Sequence, residues 1–135
     1  MNTVVLVWPG GEHEFALRLG ELEALQIASD SGPGEVLLRL HTSMADANPL
    51  VGPWRISDVI DTIRLGLIGG GMDGIEARNQ VRKAVERHGI PDLIPTAAEA
   101  LLFSLSPRAD EDGDIAPGEA EGAETPRENG TSEAS

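Results

Sequence analysis

Apolar residues recur with helical spacing most clearly between residues 55 and 71, RISDVIDTIRLGLIGGG. On a helical wheel one broad arc collects Val59, Ile60, Ile63, Gly66 and Leu67. Ser57 is suited to cap the start of this helix, and the glycines at 69–71 are suited to end it. Leu65 and Ile68 fall on the opposite side, among charged residues. The helix is therefore predicted to be buried on two sides, or buried on one side and offered to a partner on the other.

Alternating apolar and polar residues predict a β-hairpin at the start of the chain. The strands are expected over residues 3–8 and 12–19, with a turn at Pro9-Gly10-Gly11. The second strand should present one apolar face, made of His13, Phe15, Leu17 and Leu19. Because an isolated hairpin is marginal in water, the rest of the chain must cover one of its faces.

The same periodicity predicts four further short helices, over residues 20–29, 35–41, 75–88 and 95–105. Pro33 suits the opening of the second of these, and Asp73 with Glu76 forms a capping arrangement before the third. Residues 43–53 contain two prolines and a glycine and are predicted to form a loop. The predicted fold is α+β: an N-terminal β-hairpin followed by four to five short helices.

The chain is strongly acidic, with 23 Asp and Glu against 10 Lys and Arg among 135 residues and a formal net charge of -13. This charge argues against nucleic acid as a direct partner. The absence of cysteine excludes disulfides and thiolate zinc sites, and it fits a cytoplasmic protein. The first residues contain only a short apolar run and no basic segment, so neither a signal peptide nor a membrane partner is expected.

The acidity is concentrated at the C-terminus. Residues 107–135 hold nine Asp and Glu and two Arg, a net charge of -7, with Ile115 as the single bulky aliphatic residue. Such a segment buries too little apolar surface to offset the entropy of ordering it. We therefore predict a folded domain over residues 1–106 and a disordered acidic tail over 107–135.

Glycines at 69, 71 and 74 match the spacing of a dinucleotide-binding fingerprint, which would suggest a small nucleotide-binding enzyme. That chemistry needs a β-strand directly before the glycines, and here a helix is predicted to precede them. A linker between two helices is the favoured interpretation of these glycines.

The sequence supports a metal site no better than a nucleotide-binding site. Four acidic residues have EF-hand spacing, Asp110, Asp112, Asp114 and Glu121. However, Ile115 stands where the loop needs glycine, and no helices are predicted to flank it. The three histidines are far apart in sequence, at positions 13, 41 and 88. The sequence predicts no catalytic residue, no cofactor and no metal site, and therefore no enzyme.

An interaction surface is the better candidate for function. The candidate partner surface consists of apolar residues outside the predicted core arcs, Val36, Leu37, Trp54, Leu65 and Ile68. The loop residues Leu50 and Val51 are further candidates for exposed apolar surface. The alternative is that these side chains pack against the hairpin or one another, since only contiguous apolar patches indicate interaction sites.

Three segments carry a resemblance to a known family: LRLGELEALQ at 17–26, GPGEVLLRL at 32–40 and WRISDVIDTIRLGLIGGG at 54–71. In this order they resemble the tail assembly chaperone-like proteins of gene transfer agents and related long-tailed phages, over roughly residues 3–105. The resemblance implies a non-enzymatic assembly factor that binds the helical tape-measure protein, recruits tail-tube subunits and is absent from the finished particle. The alternative is a structural tail or head–tail connector component that is retained in the particle. The sequence does not determine the oligomeric state, so the chain could be a monomer or a homo-oligomer.

Overall fold

Two strands and five α-helices follow one another in the part of the chain that the structure describes. The structure is a computed structural model, which describes residues 2–45, 48 and 50–107. The elements are β1 (Val4–Trp8), β2 (Gly11–Phe15), α1 (Leu19–Ser29), α2 (Pro33–Met44), α3 (Ile56–Gly69), α4 (Gly74–His88) and α5 (Ile94–Leu105), with a 3-10 turn at Ile90–Leu93. This arrangement confirms the predicted α+β fold class.

Internal contacts divide the chain into two units, Met1–Leu105 and Ser106–Ser135, and all the elements belong to the first. The predicted disorder of residues 108–135 and the EF-hand spacing within them lie outside the described residues. The domain boundary at 106 therefore stays a prediction. No helix in the described ranges is long and apolar enough to cross a membrane.

The hairpin forms with the predicted turn, although its second strand is shorter than predicted. β1 and β2 pair in antiparallel register from Val4 opposite Phe15 to Trp8 opposite Gly11. The indole Nε1 of Trp8 donates a hydrogen bond to Nδ1 of His13 at 2.9 Å, and its ring packs edge-on against Phe15. The strand prediction for Leu19 is wrong: this residue begins α1 and is 72% exposed, because the strand ends at Phe15.

Helix α3 is the centre of the fold. It packs against α1, α2, α4, α5 and β2. Its predicted core residues Val59, Ile63 and Leu67 are fully buried. The predicted N-cap at Ser57 is wrong: Arg55 is the N-cap residue, and its backbone N–H donates to Oδ2 of Asp58 at 3.0 Å. Because neighbours surround α3, the prediction that it is buried on two sides is the correct alternative.

Small residues near the end of α3 let the hairpin approach the helix backbone. The N–H of Ala16 donates to the carbonyl of Gly66 at 3.0 Å. A Cβ atom at Gly69 would overlap the carbonyl oxygen of Ala16, and one at Gly70 would overlap the carbonyl oxygen of Glu14. The glycines therefore serve close helix–strand packing as well as ending the helix.

A buried ion pair ties α2 to the start of α3. The Asp58 carboxylate is fully buried and accepts from Nε and Nη2 of Arg39, both at 2.8 Å. The hydrogen bond to the buried Asp58 carboxylate raises the pKa of Arg39. Nη1 of Arg55 donates to the carbonyl of Ser29 at 2.7 Å and adds the end of α1 to this network.

The remaining helices agree with the predictions apart from their ends. Asp73 caps α4 as predicted: its Oδ2 accepts from the backbone N–H groups of Ile75 at 3.0 Å and Glu76 at 3.3 Å. Helix α2 is longer than the predicted 35–41, because Pro33 is its first residue and it continues to Met44.

Candidate interaction surfaces

The five predicted partner-surface residues have different environments. Val36 is fully buried and Leu65 is only 6% exposed, so the prediction that these two are exposed is wrong. Leu65 is covered because neighbouring elements surround α3, and Val36 lies in the same contiguous core. Leu37, Trp54 and Ile68 are half-buried and pack against that core.

Trp54 and Ile68 do not belong to one patch. Trp54 lies just before α3 and Ile68 lies near its end, which at 1.5 Å per residue separates them by about 20 Å along the helix. Near Trp54, however, Leu50 is 70% exposed, Val51 is 58% exposed and Ile56 is 63% exposed. We call Leu50, Val51, Trp54 and Ile56 the 50–56 segment. Three of its residues, Leu50, Val51 and Trp54, were predicted as candidates for apolar surface, and the exposure predicted for Leu50 and Val51 is confirmed.

A groove between α3 and α4 was not predicted from the sequence. It has a volume of about 280 Å³ and an apolar floor of Ile60, Val81 and Val85. Its rim carries Arg64, Arg78 and Arg82, with Glu86 beside them. We call this site the α3–α4 groove. Arg78 and Arg82, which precede and follow Val81 on α4, could have suggested a basic surface from the sequence. The sequence alone does not show that α3 packs beside them.

The groove is a basic site on an acidic chain. Helix α4 carries four of the ten basic residues of the protein and two acidic residues, a net charge of +2 where the whole chain has -13. Nη2 of Arg64 pairs with Oδ1 of Asp61 at 3.0 Å. Within the described residues, Arg78 and Arg82 form no salt bridge. Both are exposed, so their charge is directed to solvent or to a partner.

The second candidate surface is the outer edge of β1. In a hairpin with a two-residue turn the closing pair, Trp8 and Gly11, is hydrogen-bonded, and bonded pairs then alternate along the ladder. The backbone groups of Val5 and Val7 therefore point away from β2, and no other described residue hydrogen-bonds to them. Their side chains are 54% and 83% exposed, respectively. We call this surface the hairpin edge.

The hairpin edge differs from the edges that proteins usually protect. Residues Val4–Trp8 contain no charge and no proline, the devices that commonly prevent strand pairing. Next to it, a groove of about 560 Å³ is lined by Val5 together with Glu12, Glu14 and Glu76. These three glutamates make the groove an acidic surface. In the described ranges no group of three or more acidic, histidine or cysteine side chains could hold a metal ion.

The glycines at 69–74 do not form a nucleotide site. Helix α3 precedes them in place of a strand, and Gly69 and Gly70 lie against the hairpin backbone. The structure therefore supports the predicted linker between two helices.

Comparison with known proteins identifies the family. A family model described as phage tail tube protein, GTA-gp10, matches residues 2–106. The chain belongs to this family. The assignment confirms the resemblance to a gene transfer agent or phage tail family. No curated protein and no solved structure matches the chain.

Membership of the tail tube family indicates a tail-related structural role for the chain. The family is a structural one and implies interactions with tail-tube subunits. The match begins before β1 and ends after α5, so both the hairpin edge and the α3–α4 groove belong to the family domain. Residues 107–135, the acidic tail predicted from the sequence, lie outside the match.

Proposed function

We propose that this protein is a structural component of the tail of a gene transfer agent or phage-like particle, retained in the particle and in contact with its tail-tube subunits. The observation that carries the proposal is the tail tube family match over residues 2–106. It supports the structural alternative of the sequence analysis at least as well as the chaperone prediction. In neither role does the chain need catalytic residues.

The hairpin edge is the surface that best suits a contact with a neighbouring tail subunit. Its unpaired backbone groups can accept an extended segment as an added strand, in which main-chain hydrogen bonds supply affinity. Glu12 and Glu14 occupy the outer face of β2 beside this edge. An added segment with basic residues on that face would complement them.

Proline at position 7 tests this contact. The N–H of Val7 points away from β2, so Val7→Pro removes no hydrogen bond within the hairpin but prevents strand addition. Val7→Thr is the matched control, because it retains the N–H and the β-branched shape. We expect Val7→Pro to abolish co-purification with the co-expressed tail-tube subunit and Val7→Thr to preserve it. Circular dichroism confirms that both variants fold; equal co-purification would contradict the hairpin edge as the contact.

The second candidate function is a chaperone that binds the tape-measure protein in the cytoplasm before the particle is complete. The 50–56 segment favours it, since three exposed aliphatic residues beside Trp54 offer apolar surface to a long helix. Val51→Asp with Ile56→Asp should then abolish tape-measure binding. Presence of the chain in purified particles supports the structural role, whereas tape-measure binding with absence from particles supports the chaperone.

A further inference from the structure

The α3–α4 groove carries a charge pattern that neither the hairpin edge nor the 50–56 segment uses. Its rim on α4 consists of Arg78, Arg82 and Glu86, which are spaced four residues apart and therefore follow one another along one side of the helix. All three are exposed, and none forms a salt bridge with another described residue. The rim therefore presents two positive charges followed by one negative charge.

The accessible floor of the groove is apolar. Ile60 of α3 and Val85 of α4 are half-buried, so part of each side chain still faces the groove, whereas Val81 is only 2% exposed and adds little accessible surface. The volume of about 280 Å³ lies at the lower limit of small-molecule sites. The groove therefore suits one or two aliphatic side chains of a peptide better than a whole small ligand.

Both walls of the groove repeat with the spacing of an α-helix. Ile60 and Arg64 are four residues apart on α3, as Arg78 and Arg82 are on α4. At 1.5 Å per residue, the two arginines of α4 are about 6 Å apart along the helix axis. Side chains four residues apart on a partner helix have the same spacing. Such a helix can place two carboxylates beside the arginines while its neighbouring aliphatic residues enter the groove.

We propose that the α3–α4 groove binds an acidic amphipathic helix of a protein other than this chain. Two acidic residues of that helix lie opposite Arg78 and Arg82, a basic residue lies opposite Glu86, and a row of Leu or Ile beside them faces the floor. Charge complementarity identifies this partner. Arg64 is already paired with Asp61 at 3.0 Å, so the unpaired charges of the rim are those on α4. Complementary charges fix the register of the helix and disfavour partners with another charge order.

The proposal goes beyond the proposed function, because it concerns a different surface and a different kind of partner. The hairpin edge accepts an extended strand through backbone hydrogen bonds, whereas the groove accepts a helix through side chains. Failure of the hairpin-edge experiment would leave the groove proposal unaffected, and the reverse also holds.

Dye-labelled peptides test the groove by fluorescence anisotropy with the full-length chain. Two peptides of about 20 residues, long enough to form a helix, carry a row of Glu, Glu and Lys at four-residue spacing beside a row of Leu. They carry the charged row in opposite directions, because either direction of the partner helix satisfies the pairing. A scrambled peptide with the row Glu, Lys and Glu has the same composition and net charge.

Two full-length variants separate the groove from the general charge of α4. The groove variant is Arg78→Glu with Arg82→Glu. The matched control, Lys83→Glu with Arg87→Glu, makes the same change in charge at the same spacing on the same helix. Its side chains line a separate hollow of about 250 Å³ beside the hairpin turn. Circular dichroism confirms that both variants fold.

We expect one of the two ordered peptides to bind the wild type at least about tenfold more tightly than the scrambled peptide, and the groove variant to weaken this binding at least about tenfold. The control variant should weaken it by about threefold or less, since salt screens the more distant charges. Glu86→Lys should reverse the preference at the third position, so that a peptide with three Glu binds more tightly than the ordered peptide.

Three results would overturn the proposal. They are wild-type protein that binds neither ordered peptide, a scrambled peptide that binds as tightly as the ordered ones, and equal loss of binding in the two double variants. The last result would mean that general electrostatic attraction explains the binding. If the ordered peptides bind only after the acidic residues of 107–135 are replaced by their amides, or only when the wild type is too dilute to self-associate, the groove has another occupant and the proposal is wrong.

Discussion

The buried carboxylate of Asp58 should contribute far more to stability than that of Asp61, the other aspartate of α3. In Asp58→Asn the side chain keeps its size, but Arg39 loses the carboxylate that meets two of its nitrogens at 2.8 Å. The nearest alternative is Glu35, whose Oε2 lies 3.4 Å from Nη1 of Arg39 and whose side chain is 64% exposed. Arg39 itself is only 13% exposed, so its charge would remain largely buried and poorly compensated.

Removing one partner of a buried ion pair costs about 3–5 kcal/mol when the other charge stays buried. Because Arg39 can still use Glu35, we expect Asp58→Asn to lower the free energy of unfolding by about 3 kcal/mol, at the lower end of that range. Domains of this size are stable by about 5–15 kcal/mol, so the loss would be a large fraction of the total. The melting temperature should fall by more than about 10 °C.

Asp61→Asn is the matched control, with the same chemical change one helical turn further along. The pair between Asp61 and Arg64 is 24% and 29% exposed, and such i,i+3 pairs contribute about 0.5 kcal/mol or less. Urea denaturation followed by far-UV circular dichroism and by the fluorescence of the two tryptophans measures both variants. If Asp58→Asn and Asp61→Asn lower stability equally, the argument that burial makes the Asp58 pair important is refuted.

Three further substitutions test the packing. Gly69→Ala should destabilise the fold severely, since its Cβ would overlap the Ala16 carbonyl oxygen, whereas Gly20→Ala, with no atom nearby, should stabilise α1 by about 0.5–1 kcal/mol. Urea denaturation measures both, and similar effects would contradict the close helix–strand contact. Thr62→Val should raise the unfolding free energy by about 1 kcal/mol, because Oγ1 of Thr62 is buried with no hydrogen-bond partner in the described structure. A lower denaturation midpoint would contradict this.

The elements of the fold could be predicted because their signals are local. Asp73 caps α4 through its own neighbours, and Gly89 ends the same helix with a φ of 84° that favours glycine. Pro33 marks the start of α2. Each signal acts within a few residues, so sequence spacing alone identifies it. The helix ends were less accurate, because packing adds turns such as residues 42–44 of α2.

The environment of α3 could not be predicted in the same way. The partner of Asp58 is 19 residues away on another helix, so the pattern along α3 alone does not reveal the ion pair. Leu65 was placed on a polar side because a helical wheel shows one helix and not the elements around it. The α3–α4 groove was missed for the same reason: its floor combines Ile60 with residues of α4.

Retention in the particle is the most direct test of the structural role. Particles purified by density gradient should be analysed by mass spectrometry with isotope-labelled peptides of this chain and of the tail-tube subunit. The account predicts that the chain is present in a constant ratio to the tail-tube subunit in every preparation. Its absence from particles, together with recovery from the lysate in complex with the tape-measure protein, would contradict a structural role and establish the chaperone instead.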